Sequence, residues 1–278
     1  MHEERLKEKI YSVRNFLEKK LVETIDLNSL AFEANYTQFH FTRFFSEQTG
    51  ETPINYLRRL RLEKAAFDLK TTDRSVIDIA LDSGYDAHES FTRAFKKQFK
   101  LSPKEYRNQY HYKNSKEIME PKFILTDQIK LVTLKNFTIR FQRFTGNYED
   151  CPGPYKDSVL WKDFLKEHDA KPNEIVCGIC HDDPEITEGS KVRFDLGILS
   201  NSDSKLYNVK TIEGGRFALA THIGDYANLG ESYEYMLYSY PRIFGKKIRN
   251  KPLLEIYQNP FPEKIEEART EIFIPIEE

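Results

Sequence analysis

The sequence has few cysteines and no long apolar run. Three cysteines in 278 residues are too few for the disulfide framework of a small secreted domain, so the expected location is a reducing compartment, the cytoplasm. No stretch reaches the roughly 18 apolar residues that cross a bilayer, and no apolar segment follows a basic N-terminus. Neither a membrane anchor nor a secretory signal is therefore expected.

An excess of charge of one sign is also missing. Lys and Arg number 42 against 44 Asp and Glu, which gives a formal net charge of −2. The charge of the whole chain therefore neither indicates nor excludes a nucleic-acid partner, and basic surfaces must be sought locally. The length of 278 residues favours two domains, and a hydrophobic content of 39% is enough for each to bury a core.

Two different patterns divide the chain. Residues 1–112 predict consecutive helices, because apolar residues recur at helical spacing from Glu3 to Leu21 and cap and proline signals continue to Tyr110. A polar linker over residues 113–127 follows. Residues 128–278 then predict an α+β domain, because strands mix with two helical stretches without regular β-α-β alternation. The predicted strands are Ile129–Val132, Phe137–Phe144, Glu174–Ile179, Val192–Leu199, Arg216–His222, Leu253–Tyr257 and Glu271–Ile276.

An internal repeat marks the N-terminal half. Residues 41–58 (FTRFFSEQTGETPINYLR) and 91–108 (FTRAFKKQFKLSPKEYRN) share seven identical positions at an offset of 50. Each copy predicts a short helix, a tight turn and a second helix closed by a proline, which is the layout of a helix-turn-helix. Two such hairpins would also suit a helical-repeat scaffold, and this alternative stays open on spacing alone.

The second helix of each copy leaves a polar face that can address base edges in a major groove. A cluster of basic side chains beside the second face, including Lys96 and Lys97, suits phosphate contact. Either Arg43 or Arg93 could instead serve in a structural salt bridge. The two faces offer Phe39, Thr42 and Arg43 in the first copy, and His88, Glu89, Ser90 and Arg93 in the second.

The motifs IALDSGY (79–85), SFTRAFKKQF (90–99) and SPKEYR (102–107) resemble the DNA-binding domain of the AraC/XylS family. The resemblance covers roughly residues 3–110 and implies an all-α, homeodomain-like tandem helix-turn-helix domain. It implies that one chain binds double-stranded DNA as a monomer, with a connecting helix over Ile54–Leu69 and base contacts from the two faces named above. One departure is Lys100, which occupies a helix C-cap where the family often has Gly and where the left-handed conformation disfavours Lys.

A second repeat marks the C-terminal half. FTGNY (144–148) and HIGDY (222–226) end in Gly-(Asn/Asp)-Tyr at an offset of 78, each after a strand-like run and before a helix-like one. Two such modules predict a pseudo-symmetric domain with a groove between its halves. Together with LLEIY (253–257) and EIFIPI (271–276), they resemble the GyrI-like effector-binding domain over about residues 126–278. The resemblance implies a small-molecule effector.

Glu255 is the residue to which a ligand role is assigned. Strand alternation places it on one face with Leu253 and Tyr257, where a carboxylate is costly to bury without a positive partner. The resemblance implies that a lipophilic cationic or aromatic ligand supplies that partner. A salt bridge to Lys251, and ordinary packing of the tyrosines, are the alternatives. The rings expected around the ligand are those of Tyr148, Trp161, Tyr226 and Tyr257.

Other functions of the C-terminal domain remain open. It could be an interaction module for RNA polymerase or another protein, or it could hydrolyse small electrophilic compounds. No nucleophile–base pair stands at a recognisable spacing, so an enzyme is not expected, and no cofactor or metal is predicted. The motif Cys177-x-x-Cys180-His181 matches a haem-attachment pattern. A strand there would turn the two thiols to opposite faces, so plain burial is the preferred interpretation.

Overall fold

The computed structural model describes residues 13–18, 21, 26–33, 36–111, 120, 122–124, 129–151, 153–155, 157–199 and 208–277. The chain forms two compact units, residues 1–114 and 115–278. Most of the predicted linker 113–127 and of the predicted helix Glu3–Leu21 lies outside the described residues. Within those ranges, no helix is long and apolar enough to cross a membrane.

The first unit is helical throughout its described part. Residues 13–18 are helical. The helices that follow are α1 (Leu27–Glu33), α2 (Gln38–Thr49), α3 (Pro53–Thr71), α4 (Val76–Asp82), α5 (His88–Phe99) and α6 (Pro103–Tyr110).

Local capping fixes where these helices begin. The N-cap hydroxyl of each capped helix accepts a backbone N–H from the first turn, which satisfies a donor that the helix itself leaves unpaired. Pro53 and Pro103 stand at first positions, where a missing N–H costs nothing. The capping residues are Thr37 for α2, Thr52 for α3, Ser75 for α4 and Ser102 for α6.

The two copies of the N-terminal repeat bury the same core. Phe41 and Phe45 in α2 are fully buried, as are their counterparts Phe91 and Phe95 in α5. In each copy the second of these rings meets a tyrosine of the next helix edge-to-face, with centroids 5.5 Å apart in the first copy and 5.4 Å apart in the second. The sequence repeat is therefore a repeat of packing as well as of pattern.

The C-caps of α2 and α5 share one geometry but differ in residue. Gly50 ends α2 with φ 75°, and Lys100 ends α5 with φ 63°. In both, the cap N–H donates to the carbonyl four residues earlier. The departure from glycine therefore does not alter the turn: Lys100 adopts the left-handed conformation, and a side chain occupies a position that favours glycine.

Lys100→Gly is expected to raise the free energy of unfolding by about 0.5–1 kcal/mol. Glycine adopts the left-handed conformation without the steric penalty of a side chain, and this gain exceeds the additional backbone entropy that glycine loses on folding. Urea unfolding followed by helical circular dichroism measures the change. Gly50→Ala is the matched control and should destabilise the chain. Since no atom lies within 4 Å of a Cβ added at Gly50, its cost would be conformational only. An unchanged or lower stability of Lys100→Gly would contradict this account.

The second unit contains a curled antiparallel sheet with helices beside it. The strands of its described part are β1 (Lys130–Leu134), β2 (Phe137–Thr145), β3 (Val176–Cys180), β4 (Arg193–Leu199), β5 (Val209–Ile212), β6 (Gly215–Ile223), β7 (Leu253–Tyr257) and β8 (Arg269–Pro275). Their order in the sheet is β1-β6-β8-β7-β3-β4-β2-β5. The helices are α7 (Val159–Glu167), α8 (Leu229–Glu234) and α9 (Tyr240–Phe244), with a π-helical turn, Tyr235–Ser239, between the last two.

The sheet consists of two equivalent halves. Strands β2, β3 and β4 of the first half correspond to β6, β7 and β8 of the second. The short strand before each half pairs with the other half: β1 with β6, and β5 with β2. The halves join where β3 pairs with β7, and there Gly178 faces Glu255. The predicted pseudo-symmetry is present, although the short half-exposed strand β5 was not predicted.

A buried ionic cluster lies on the sheet face opposite to the one that carries Phe194 and Leu196. Asp195 is fully buried, with Arg143 Nε and Lys210 Nζ in contact with its carboxylate and His181 Nε2 at 2.6 Å. Burial is the main cause that lowers the pKa of His181 to about 4, and the positive charge of Arg143 is the second. Against the opposing effect of burial, the surrounding cations hold the pKa of Asp195 well below its ordinary range.

Acidification is expected to destabilise the second unit through His181. Since its pKa is lower in the folded chain than in the unfolded chain, the unfolded state binds the proton first as the pH falls. The contribution of His181 to the free energy of unfolding, at most about 3 kcal/mol, is complete above about pH 6.5 and is lost as the pH falls towards 4. Urea unfolding at pH 7, 6 and 5 measures this loss.

His181→Gln is the control, because glutamine keeps a donor for Asp195 but does not titrate. Its pH dependence should be shallower than that of wild type. Some dependence should remain, since burial also lowers the pKa values of His168 and His222. Identical slopes for variant and wild type would exclude His181 as the titrating group.

Candidate functional site

The exposed face of α5 carries most of the polar side chains predicted to contact DNA. Ser90 differs from the rest, because it is half-buried and its hydroxyl donates to the carbonyl of Ala87 at 2.7 Å. Arg93 is exposed and forms no ion pair with any residue that the structure describes. The exposed members of this face are His88, Glu89, Arg93, Lys96 and Lys97.

The corresponding face of α2 is less basic. Phe39 is 73% exposed, Thr42 is half-buried, and Arg43 lies 3.6 Å from Glu47. The salt-bridge alternative therefore applies to Arg43. Both partners are more than half exposed, so the pair contributes little and leaves the guanidinium free to reach another acceptor.

The two copies differ in charge at equivalent positions. Lys96, Lys97 and Lys100 correspond to Ser46, Glu47 and Gly50. The second face therefore favours phosphate contact more strongly than the first. This difference is a property of the surface, since the cores of the two copies are alike.

Two arginines near these faces have structural partners. Arg59 is buried in α3, with Nη2 2.5 Å from Glu51 Oε1 and Nη1 3.0 Å from Glu63 Oε2. Arg107 Nη2 donates to the carbonyl of Arg74 at 2.5 Å. These contacts hold both arginines within the helical unit.

In the second unit, Glu255 occupies the middle of the central strand β7. It is only 4% exposed. Its Oε1 accepts from the hydroxyl of Tyr233 at 2.5 Å and from the thiol of Cys180 at 3.4 Å, and its Oε2 accepts from the hydroxyl of Tyr257. The carboxylate therefore has three uncharged donors.

No basic side chain of the described part of the chain forms a salt bridge with Glu255. The alternative partner, Lys251, instead contacts the carboxylate of Glu213. Burial raises the pKa of Glu255, and the hydrogen bonds from its three donors oppose that rise. The carboxyl group of Glu255 is thus hydrogen-bonded by neutral groups, with no described cation beside it.

Aromatic rings surround this carboxylate. The ring of Tyr257 meets Trp161 with centroids 5.2 Å apart and Tyr226 at 5.8 Å, both edge-to-face. Phe194 in turn meets Trp161 at 6.3 Å and Tyr148 at 6.0 Å. The structure thus brings the five residues predicted to bind ligand into one group. We call it the Glu255 cluster: Tyr148, Trp161, Cys180, Phe194, Tyr226, Tyr233, Glu255 and Tyr257.

Three members of the Glu255 cluster were not assigned to the site from sequence: Cys180, Phe194 and Tyr233. Cys180 and Phe194 come close only because β3 pairs with both β7 and β4. The missing side chain of Gly178 leaves space for Phe194 and Tyr257, since a Cβ there would lie 2.5 Å from Phe194 Cζ and 2.8 Å from Tyr257 Oη. Strand alternation places Cys180 on the same face of β3 as Gly178. This pattern could have assigned Cys180 to the site only if the pairing of β3 with β7 had been known.

The three cysteines are buried in the second unit. Cys177 and Cys180 lie on opposite faces of β3, as predicted, and all three thiols are free. Burial raises the pKa values of Cys151 and Cys177 to about 12 and that of Cys180 well above its ordinary value. Among the described residues, no group of three or more His, Cys, Asp and Glu side chains is placed to hold a metal ion.

Comparison with known families agrees with both halves of the chain. Residues 30–109 match a helix-turn-helix domain family, and residues 127–277 match the GyrI-like small molecule binding domain. The chain belongs to the AraC/XylS family and carries a GyrI-like domain. It is a DNA-binding transcription regulator with a small-molecule-binding domain.

The curated relatives that follow match about a third of this chain. The TetD protein of transposon Tn10 from Escherichia coli is 40% identical over 98 residues, 35% of this chain and 71% of TetD. The transcriptional regulator Rob of Salmonella typhimurium is 41% identical over 92 residues, 33% of this chain and 32% of Rob, so the match spans about a third of that relative. The match to the solved C-terminal domain of EcmrR covers 54% of this chain and 98% of that domain, with 17% identity and a TM-score of 0.42.

Arg93→Ala is expected to weaken binding to a DNA site chosen by in vitro selection by about 1–3 kcal/mol, while binding to random DNA stays nearly unchanged. The reason is that Arg93, which is exposed and has no ion pair among the described residues, is predicted to contact base edges. Gel-shift titration against both DNAs measures the difference. Lys97→Ala is the control: as a phosphate contact it should weaken both complexes alike and reduce the salt slope by about one. Equal losses on both DNAs for Arg93→Ala would contradict its role.

Proposed function

We propose that this regulator is controlled by a lipophilic cation with aromatic groups, which binds at the Glu255 cluster and alters engagement of DNA or of RNA polymerase. One observation carries the proposal: a buried carboxylate is held by three neutral donors and aromatic rings, with no described cation beside it. A monovalent cation would neutralise that charge where water cannot, and the surrounding rings would attract it further.

The hydrogen bonding of Glu255 supports a cation that needs few donors of its own. Oε1 accepts from Tyr233 and Cys180, and Oε2 accepts from Tyr257, so three of the roughly four acceptor sites of a carboxylate are engaged. A primary ammonium, which has three donors, would find about one of these sites open. A quaternary or delocalised cation interacts through charge and ring contacts alone, so the geometry favours the latter class.

We propose binding rather than catalysis at this cluster. Its one thiol, Cys180, has a pKa raised well above the ordinary value by burial and by Glu255, so a nucleophilic thiolate is disfavoured. The tyrosine hydroxyls that touch Glu255 likewise have strongly raised pKa values, chiefly through burial. Turnover of small esters that depended on Glu255 would overturn this part of the proposal.

The DNA-binding mode that we propose is a single chain on two successive major-groove segments, in the cytoplasm. The tandem copies and the 19-residue connecting helix α3 support it. RNA polymerase is the further protein partner that we propose. The competing function for the second unit is a ligand-independent interaction module.

Thermal unfolding in the presence of tetraphenylphosphonium tests the ligand proposal. This probe is a delocalised aromatic cation, and triphenylphosphine oxide is a neutral compound of similar build. The cation should raise the melting temperature and the neutral compound should not, since a ligand that binds only the folded state stabilises by about 2.7 kcal/mol at 100 times its Kd. Glu255→Gln should abolish the shift.

Glu213→Gln is the matched control, because that carboxylate is exposed and paired with Lys251. It should keep the response of wild type. An equal response to both compounds, or a response that survives Glu255→Gln, would contradict the role of Glu255. A flat response of wild type to cations would favour the interaction module.

A further inference from the structure

Among the described residues, Tyr226 is the one member of the Glu255 cluster whose polar atom has no hydrogen-bond partner. The residue follows β6 and is 7% exposed, and no described donor or acceptor pairs with its buried hydroxyl oxygen. Its ring lies over Gly153, where an added Cβ would come within 2.3 Å of it, and meets Tyr257 at 5.8 Å. A buried hydroxyl without a partner costs free energy, so its presence calls for an explanation.

The internal symmetry of the domain shows what a satisfied hydroxyl would look like. Tyr148 is the equivalent of Tyr226 at an offset of 78, and its hydroxyl donates to the carbonyl of Asp182 at 3.0 Å. Asn259 in the second half is the counterpart of Asp182 in the first. Among the described residues, the hydroxyl of Tyr226 forms no hydrogen bond with it. The two halves therefore provide the same tyrosine but a hydrogen-bond acceptor for only one of them.

Glu255 does not explain the difference. Its donors are Tyr233, Tyr257 and Cys180, and Tyr226 is not among them. The carboxylate is nevertheless close enough to add to the effect of burial in raising the pKa of Tyr226. The hydroxyl thus lies in the neighbourhood of the charge without being used by it.

A second hydroxyl lies on the strand beside Tyr257. Thr270 pairs in register with Tyr257 on the neighbouring strand β8, is fully buried, and its Oγ1 has no hydrogen-bond partner among the described residues. Buried polar atoms without a partner are uncommon in protein interiors. Tyr226 in the Glu255 cluster and Thr270 next to it therefore indicate hydrogen-bonding capacity on both sides of Tyr257 that a further group would use.

We propose that the effector of this domain carries an uncharged hydrogen-bonding group, such as a hydroxyl, carbonyl or amide, which bonds to the hydroxyl of Tyr226 while the cationic centre lies at Glu255. This inference rests on the proposed cation-binding function and adds a second recognition element to it. A purely hydrocarbon cation would leave Tyr226 unsatisfied. The ligand class is therefore an amphiphilic aromatic cation with a polar substituent.

Matched ligands test this inference. Tetraphenylphosphonium is compared with its three mono-hydroxylated isomers, in which one phenyl ring carries an ortho, meta or para hydroxyl. Calorimetric titration of the full chain gives the Kd values for wild type, Tyr226→Phe and Tyr148→Phe. At least one isomer should bind wild type about two- to tenfold more tightly than the parent cation, which is the range of one net hydrogen bond.

The two variants separate the tyrosines. Tyr226→Phe should remove the advantage of the hydroxylated isomer over the parent cation. The ratio of the two Kd values within each variant is the readout, because Tyr226 also contributes its ring to the Glu255 cluster. Tyr148→Phe is the control from the other half, and it should keep the advantage because the hydroxyl of Tyr148 is already bonded within the protein. An advantage that survives Tyr226→Phe, or isomers that all bind no better than the parent, would overturn the inference.

The stability of the unliganded variants gives an independent readout. Tyr226→Phe should unfold at the same temperature as wild type or higher, because it deletes an unpaired buried hydroxyl. A clear loss of stability would mean that the hydroxyl is already satisfied and would overturn the inference. If the parent cation itself does not bind, the proposed function fails and this inference with it. Binding of the parent without a gain from any isomer rejects this inference alone.

Discussion

The pairing of β3 with β7 is the constraint on which the second unit depends. It joins the two halves of the sheet, and it sets repeat-equivalent positions Gly178 and Glu255 directly opposite each other. Carboxylates at both positions would repel across the strands. With glycine at one of them, Phe194 and Tyr257 close over the vacant side. The two equivalent halves therefore place a single carboxyl group, that of Glu255, where they join. This single group is the basis for the one ligand site that we propose.

The same logic of a repeated core with a diverged surface governs the first unit. Phe41 and Phe91 remain phenylalanine and remain buried, since a change in either would leave a cavity. Glu47 and Lys97 stand at equivalent exposed positions with opposite charge. Duplication thus preserves what packing requires and leaves the contact surfaces free to differ, so the two helix-turn-helix units are expected to contribute unequally to DNA binding.

Features that follow from local chemistry could be predicted from the sequence. Helix starts at Thr37 and Ser75, the left-handed Lys100 and the shared face of Glu255 and Tyr257 all depend on a few neighbouring residues. The two repeats revealed the pseudo-symmetry, because equivalent positions recur at constant offsets. Resemblance to known families then supplied the expectation of a ligand at the carboxylate.

Features that depend on distant pairing could not be predicted. Cys180 and Tyr233 reach Glu255 from other elements, and Arg59 is tied to Glu51 and Glu63 by the fold of the unit. Strand β5 was missed because it is short and partly exposed and lies at the sheet edge. The alternative salt bridge of Glu255 failed for the same reason, since Lys251 finds Glu213 instead.

The use of neutral donors at Glu255 has a consequence for regulation. A lysine at that place would neutralise the carboxylate permanently, whereas hydroxyl and thiol donors stabilise the charge and leave it available to an incoming cation. A cation can shift the regulator between states only by binding one of them more tightly. Because Glu255 lies on the strand pair that joins the two halves, a change in its hydrogen bonding acts where those halves meet. If the proposed cation changes the affinity for DNA by some factor, reciprocity requires that DNA change the affinity for the cation by the same factor.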